Sequence, residues 1–118
     1  MITIISGTHR KHSNTSKIAR EYQLILQEKG IEAGLLSLED LDLLQYNSAF
    51  ETIENEILIP TSHFIIISPE YNGSFPGILK VFLDSVPPRD WNDKKACMVG
   101  VADGRAGNLR GMEHLTGI

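Results

Sequence analysis

The sequence contains a single cysteine, Cys97, among its 118 residues. One cysteine excludes an internal disulfide framework, and no paired cysteine and histidine spacing indicates a structural zinc site. No apolar stretch approaches the roughly 20 residues of a membrane-spanning helix, and Met1 leads into the apolar Ile2 without the cationic segment of an export signal. We therefore expect a protein of the reducing cytoplasm that is neither exported nor embedded in a membrane.

Positive charge is also scarce, because 11 lysines and arginines stand against 15 aspartates and glutamates, a formal net charge of -4. No basic face or arm could follow a phosphodiester backbone, so nucleic acid is not an expected partner. The hydrophobic content of 42% is typical of soluble globular proteins. The length predicts a single domain over residues 1–118 with a substantial core.

Short apolar runs alternate with longer amphipathic stretches along the chain. The short runs predict strands buried on both faces, over residues 2–6, 31–37, 63–67 and 96–101. The longer stretches predict helices from Ser13 to a stop at Gly30, over 48–58, over 78–86, and after Gly107; residues 38–47 have no firm assignment. This alternation predicts a parallel sheet between two layers of helices, a three-layer α/β/α fold.

The number of predicted strands is small for this kind of fold. A five-stranded doubly wound domain needs about 150 residues at roughly 30 residues per unit, and this chain supplies four units. The last predicted helix carries an apolar stripe and reaches the final residue without a glycine stop; the stripe is Leu109, Met112, Leu115 and Ile118. We therefore expect that this chain lacks the final strand and helix and is C-terminally incomplete.

Two apolar segments carry further expectations. The stretch 78–86 is apolar on more than one helical face, which predicts that it forms part of a subunit interface. Cys97 falls in the predicted fourth strand, where a buried packing role is expected.

The first loop after a predicted strand, residues 7–16, concentrates hydroxyl, amide and guanidinium donors. Ligands of such sheets bind at the carboxyl ends of the strands, and the free N–H groups at the start of a helix favour an anion. Ser13, Asn14 and Thr15 can donate further hydrogen bonds, and Arg10 adds a charged, forked donor. The alternative is that Ser13 or Asn14 only caps the helix while Arg10 and Lys11 are solvated.

Two other loops lie at the same predicted edge. Residues 68–77 combine an aromatic ring with amides and glycines, which suits a flat heterocycle. A turn before the next helix would explain the glycines and prolines of this loop but leaves Glu70, Tyr71 and Asn72 unexplained. Residues 103–107 are weaker evidence, since such a segment is more often a plain turn.

Residues 5–15, Ile-Ser-Gly-Thr-His-Arg-Lys-His-Ser-Asn-Thr, and 68–80, Ser-Pro-Glu-Tyr-Asn-Gly-Ser-Phe-Pro-Gly-Ile-Leu-Lys, together resemble the NADPH-dependent FMN reductase family of flavodoxin-like proteins. The match runs in register along nearly the whole chain, and residues 103–111 are similar to the family's glycine-rich third loop. The resemblance implies a flavodoxin-like doubly wound parallel sheet, a homodimer or homotetramer, and noncovalently bound FMN. The FMN phosphate would lie in the first loop and the isoalloxazine ring between the second and third.

The resemblance also implies roles for individual residues. The phosphate contacts fall on Thr8, Arg10, Ser13, Asn14 and Thr15. The ring contacts fall on Pro69, Glu70, Tyr71, Asn72 and Gly73. Contacts to the ring edge fall on Asp103, Gly104 and Arg105, although the family usually carries a small hydroxyl residue or glycine near the position of Asp103.

The implied activity is hydride transfer from NAD(P)H through bound FMN to a quinone, azo compound, free flavin or similar small-molecule acceptor. The cofactor performs this chemistry, so no catalytic side chain and no metal are expected. The four histidines have no evident carboxylate or nucleophile partner; they are His9, His12, His63 and His114.

Two alternative functions belong to other classes of protein. A flavodoxin-like electron carrier would bind FMN without accepting hydride, although the net charge of -4 is modest for the acidic docking face of a carrier. A receiver-type signalling domain would need clustered acidic residues after the first strand, where Ser6, Gly7 and Thr8 stand instead. We discard the receiver.

Overall fold

A four-stranded parallel sheet forms the centre of the molecule in the computed structural model, which describes residues 1–43 and 45–118. The strands are β1 (Ile2–Ser6), β2 (Gly34–Ser37), β3 (His63–Pro69) and β4 (Lys95–Val101). Their spatial order is β2-β1-β3-β4, and every neighbouring pair is parallel. Flavodoxin-like sheets begin with this order, so the predicted fold class is confirmed.

Helices connect the strands in the predicted alternation. They are α1 (Asn14–Glu28), α2 (Ser48–Ile53) with a π-helical continuation (Glu54–Leu58), α3 (Gly77–Ser85), a 3-10 turn (Pro88–Trp91) and α4 (Leu109–Thr116). The single helix predicted over 48–58 is therefore an α-helix that ends in a π-helical turn. Residue 44, in the unassigned connection 38–47, lies outside the described residues.

The end of α1 is set by Gly30, as predicted. Gly30 has a φ of 73°, in the left-handed region that glycine adopts without strain, and the Ile31 N–H donates to the Leu26 carbonyl oxygen at 2.9 Å. This closing turn still involves Ile31. The second strand therefore begins at Gly34 and not at the predicted Ile31.

Alternate residues of the central strands face opposite layers of helices. Ile5 and Ile66 belong to the core that contains Phe82 of α3, whereas Ile4 and Ile67 pack on the α1 side of the sheet. All five side chains are buried. The continuous apolar runs of β1 and β3 are thus explained by burial on both faces.

β4 departs from the prediction of a fourth buried strand. Among the described residues it pairs with β3 alone, and it forms one edge of the sheet. Lys95, Ala96 and Cys97 are exposed, and residues 98–101 are partly buried. The prediction that Cys97 is buried was therefore wrong, because an apolar run does not indicate whether a strand has neighbours on both sides.

The apolar stripes of α1 and α4 are only partly buried. In α1, Ala19 is buried, whereas Ile18 and Ile25 are exposed. In the last helix, Leu115 is buried and Met112 partly buried, but Leu109 and Ile118 are 69% and 62% exposed. Contrary to the prediction of a helix without a stop, α4 ends at Thr116, with Gly117 as its C-cap.

The connection before β4 contributes an aromatic ring to the core. The Trp91 ring lies edge-on to Phe64, with 5.4 Å between ring centroids, and 6.4 Å from the ring centroid of Phe82. No helix in the described part of the chain has the length and hydropathy needed to cross a membrane.

Candidate functional site

A cleft of about 410 Å³ opens at the carboxyl edge of the sheet, where the connections after β1 and β3 diverge. β2 lies on one side of β1 and β3 on the other, so the strand order reverses at this point and leaves room for a ligand. The cleft is lined by Arg10, Lys11, Ser13, Asn14, Thr15, Pro69, Glu70, Tyr71, Val101, Ala102, Asp103 and Gly104. All three loops singled out in the sequence therefore meet here.

The start of α1 forms one wall of the cleft. Ser13 is the N-cap, and its Oγ accepts a hydrogen bond from the Ser16 N–H at 3.0 Å. The capping interpretation is thus confirmed for Ser13, whose own O–H proton is still available to an anion. The N–H groups of Asn14 and Thr15 belong to the first turn, which has no intrahelical acceptors, and both residues line the cleft. This wall favours negative charge.

Positive side chains lie beside this helix start. Arg10 and Lys11 are exposed on the cleft, and neither forms an ion pair with any residue that the structure describes. The guanidinium carbon of Arg10 lies 4.0 Å from the centroid of the Tyr71 ring, which is a cation–π contact. Lys11 was not among the predicted site residues, although it follows Arg10 directly in the sequence.

Thr8, to which a phosphate contact was assigned, is not among the residues that line the cleft. It is buried, and its Oγ1 lies 2.5 Å from the Tyr71 hydroxyl oxygen. The same Oγ1 accepts a hydrogen bond from the Arg10 N–H at 3.3 Å. Thr8 therefore links the first loop to the aromatic ring of the second.

The second loop contains a tight turn that presents Tyr71. The Tyr71 N–H donates to the Ser74 carbonyl oxygen at 2.8 Å, and the Ser74 N–H donates to the Tyr71 carbonyl oxygen at 3.2 Å. Asn72 and Gly73 between them have φ angles of 52° and 79°, as a type I′ turn requires. These two predicted ring-binding residues form the turn and do not line the cleft, whereas Pro69, Glu70 and Tyr71 do.

The third loop completes the cleft. Two of the three residues assigned to the ring edge, Asp103 and Gly104, line the cleft, whereas Arg105 does not. Val101 and Ala102 line it as well, and sequence reasoning missed both because they were assigned to a strand and its exit. Their position at the carboxyl end of a parallel strand was the signal that could have identified them.

Charge is unevenly distributed over the cleft. Arg10 and Lys11 stand on the wall formed by the first loop, and the carboxylates of Glu70 and Asp103 belong to the second and third loops. A ligand with an anionic tail and a planar head would match this arrangement, because the cationic wall would bind the tail and the Tyr71 ring would lie beside the head. Among the described residues, no group of three or more metal-ligating side chains could hold a metal ion.

The strand order and the position of the cleft are those of a flavodoxin-like domain with a cleft at its switch point. The family model for NADPH-dependent FMN reductases matches residues 1–118, and the chain belongs to this family.

Two curated relatives are quinone reductases by name. The chain is similar to a probable NADPH:quinone oxidoreductase 2 of Oryza sativa subsp. japonica, with 32% identity over 97% of this chain and 61% of the relative. It is also similar to a 2-hydroxy-1,4-benzoquinone reductase of a Burkholderia species, with 27% identity over 99% of this chain and 68% of the relative. The chain thus spans about 61% to 68% of the length of these relatives.

Solved structures support the fold assignment. The flavoenzyme FerB of Paracoccus denitrificans, an NAD(P)H:(acceptor) oxidoreductase, matches with a TM-score of 0.78 and 24% identity over 98% of this chain and 68% of its own. The apo form of the NADH:FMN oxidoreductase EMOB matches with a TM-score of 0.73 and 24% identity over 96% of this chain and 63% of its own. At these identities the likeness concerns the fold alone.

Proposed function

We propose that this chain forms the FMN-binding part of an NAD(P)H-dependent oxidoreductase that reduces a quinone, azo compound, free flavin or similar small acceptor. The observation that carries the proposal is the three-loop cleft, in which a helix start flanked by Arg10 and Lys11 faces loops bearing Tyr71 and Asp103. Membership of the FMN reductase family and similarity to two quinone reductases support the same chemistry.

The phosphate half of FMN fits the first loop. The free N–H groups of Asn14 and Thr15, the Ser13 hydroxyl and the Arg10 guanidinium are donors of the kind that bind a phosphate monoester. Lys11 adds a second positive charge to this wall. The donor set therefore suits a phosphorylated ligand better than its uncharged analogue.

The ring half of FMN fits the space between the second and third loops. Tyr71 supplies an aromatic surface, and Val101 and Ala102 supply apolar contacts at the end of β4. Bound FMN supplies hydride exchange between a nicotinamide and an acceptor, so the chain has only to bind and orient the two substrates. The cleft volume of about 410 Å³ lies within the range of roughly 300 to 1,000 Å³ that is usual for cofactor sites.

A titration of the flavin-free chain tests the proposal. We expect FMN to bind at one site per chain with quenching of its fluorescence, and we expect NADPH or NADH to bleach the bound flavin and benzoquinone to restore its colour. A folded sample that binds no FMN contradicts the proposal. Binding without bleaching by either nicotinamide would favour the electron carrier over the reductase.

Assembly and location follow from the same proposal. We propose a homodimer or homotetramer in the cytoplasm with small molecules as its other partners. The exposed edge of β4 leaves surface for further contacts. Light scattering of the flavin-loaded protein measures the number of subunits.

A further inference from the structure

We infer that Asn108 is a positioning residue that holds the third loop against the second and thereby sets the affinity of the cleft for the flavin ring. Asn108 is fully buried and lies at the start of α4, directly after the third loop. Its Nδ2 donates a hydrogen bond to the Ser68 carbonyl oxygen at 3.0 Å. Since Ser68 precedes Pro69 of the cleft, one side chain joins both sides of the proposed ring site. The inference rests on the proposed function in naming the flavin.

A slot between two glycines holds the Asn108 side chain in place. A Cβ added at Gly111 would lie 2.0 Å from the Asn108 Oδ1, and a Cβ added at Gly100 would lie 3.1 Å from the Asn108 Cβ. The same added carbon at Gly100 would lie 2.6 Å from the Gly107 carbonyl oxygen. The third loop therefore lies directly on β4. A larger side chain at Gly100 would displace this loop, and one at Gly111 would displace the Asn108 side chain.

The backbone of Asn108 does not by itself explain the residue found there. Its φ of 64° is in the left-handed region, where glycine would be relaxed and asparagine is among the few tolerated side chains. Its Oδ1 is buried without a hydrogen-bond partner among the described residues, which costs desolvation free energy. Replacement of Asn108 by glycine would remove the hydrogen bond from the side-chain amide to the Ser68 carbonyl oxygen. That hydrogen bond connects two loops of the cleft.

The position of Asn108 predicts which half of the cofactor depends on it. Among the described residues, the other hydrogen bond between these two parts of the chain lies just before the third loop, where the Val101 carbonyl oxygen accepts from the Glu70 N–H at 3.3 Å. Without the Asn108 amide, residues 102–107 are no longer held beside the second loop. The gap between the second and third loops then loses its fixed width, while the helix start beside Arg10 is unchanged. FMN and riboflavin share the ring, so both should lose affinity by the same factor.

The first test compares Asn108→Gly with Asn47→Gly. Asn47 is a control because it is also the N-cap of a helix and does not line the cleft. Its Oδ1 accepts from the Phe50 N–H at 3.0 Å, and its Nδ2 donates to the Asp42 and Gln45 carbonyl oxygens. We expect Asn108→Gly to weaken FMN and riboflavin alike by about tenfold, the weight of one lost hydrogen bond, and Asn47→Gly to leave both affinities unchanged. Fluorescence quenching gives the dissociation constants, and circular dichroism shows whether each variant is folded.

A second test perturbs the same contact from the other side. Gly111→Ala improves helix propensity but displaces the Asn108 amide, so it should weaken both flavins about as much as Asn108→Gly does. In the Asn108→Gly background the slot is empty, and Gly111→Ala should have no further effect. This non-additivity distinguishes positioning from two independent losses of stability, which would add.

Hydrogen exchange of residues 102–107 decides the inference independently of flavin. Faster exchange there in Asn108→Gly, but not in Asn47→Gly, is expected if the amide holds the third loop. Unchanged exchange, additive effects in the double variant, or wild-type flavin affinity in Asn108→Gly would each overturn the inference. If the wild-type chain binds no flavin, the proposed function fails, and the exchange result still decides whether Asn108 positions the loop.

Discussion

Tyr71 is the residue on which the first two loops of the cleft converge. Its hydroxyl lies 2.5 Å from the Thr8 Oγ1, and the Arg10 guanidinium stacks on its ring. The family resemblance implied that Thr8 and Arg10 contact a phosphate and that Tyr71 contacts a ring, as two separate groups. It could not find their mutual contacts, because residues 63 positions apart meet only after the strands have paired.

Removal of the Arg10 side chain should distinguish the contribution of the FMN phosphate to binding from that of the ring. Arg10→Ala is expected to weaken FMN by about 10- to 100-fold, the effect of roughly 1.5 to 3 kcal/mol from a charge-assisted hydrogen bond, with a far smaller change for riboflavin. Arg20→Ala removes an exposed arginine of α1 outside the cleft and should change neither affinity. Dissociation constants from fluorescence quenching measure both. Equal losses of FMN and riboflavin in Arg10→Ala would contradict the phosphate assignment.

At the scale of single elements, the best predictions depended on local signals. The apolar runs of β1 and β3 and the glycine that ends α1 lie within a few residues of the features they determine. The exposure of an apolar side chain depends instead on which elements pack beside it, and periodicity does not give this. For this reason Leu109, which belongs to the predicted apolar stripe of α4, is exposed while Leu115 of the same stripe is buried.

α3 shows how far burial differs between apolar side chains of one helix, because two neighbouring residues on it have opposite environments. Phe82 is fully buried against both Phe50 and Trp91, whereas Val81 is 39% exposed. Phe82→Ala should lower the free energy of unfolding by about 3 to 5 kcal/mol through lost burial and the cavity left behind. Val81→Ala should lower it by less than about 1 kcal/mol.

Urea unfolding followed by Trp91 fluorescence measures both changes in α3. A cost at Val81 comparable to that at Phe82 would show that Val81 is buried in solution, as the predicted subunit interface on this helix requires. That interface stays a prediction, since Leu79 and Phe82 already lie in the core of the chain itself.

On the scale of the whole molecule, the sequence predicted the layers but not the position of each strand. The alternation of strands and helices is enough to predict a parallel sheet between helices, and the structure confirms it. The apolar run of β4 resembles that of β3, yet β3 has two neighbours and β4 has one among the described residues. Position within the sheet depends on the order in which strands pair, which the composition of a strand does not encode.

An apolar edge strand predicts association between copies of this 118-residue chain. Cys97→Lys places a charge on the exposed part of β4 and should lower the apparent mass at high concentration, whereas Gln27→Lys, on an exposed part of α1, should not. Light scattering under reducing conditions gives this mass. Cys97→Ser controls for loss of the thiol, and association equal in wild type and Cys97→Lys would exclude the β4 edge as the contact.

The walls of the cleft come from residues 10–15, 69–71 and 101–104, which are distant in the chain. A ribosome releases these segments one after another, so the first wall emerges long before the last. The proposed cofactor can contact all three walls only after β4 and the turn that follows it have left the ribosomal tunnel. The complete site therefore forms after β1, α1 and β3 have been made.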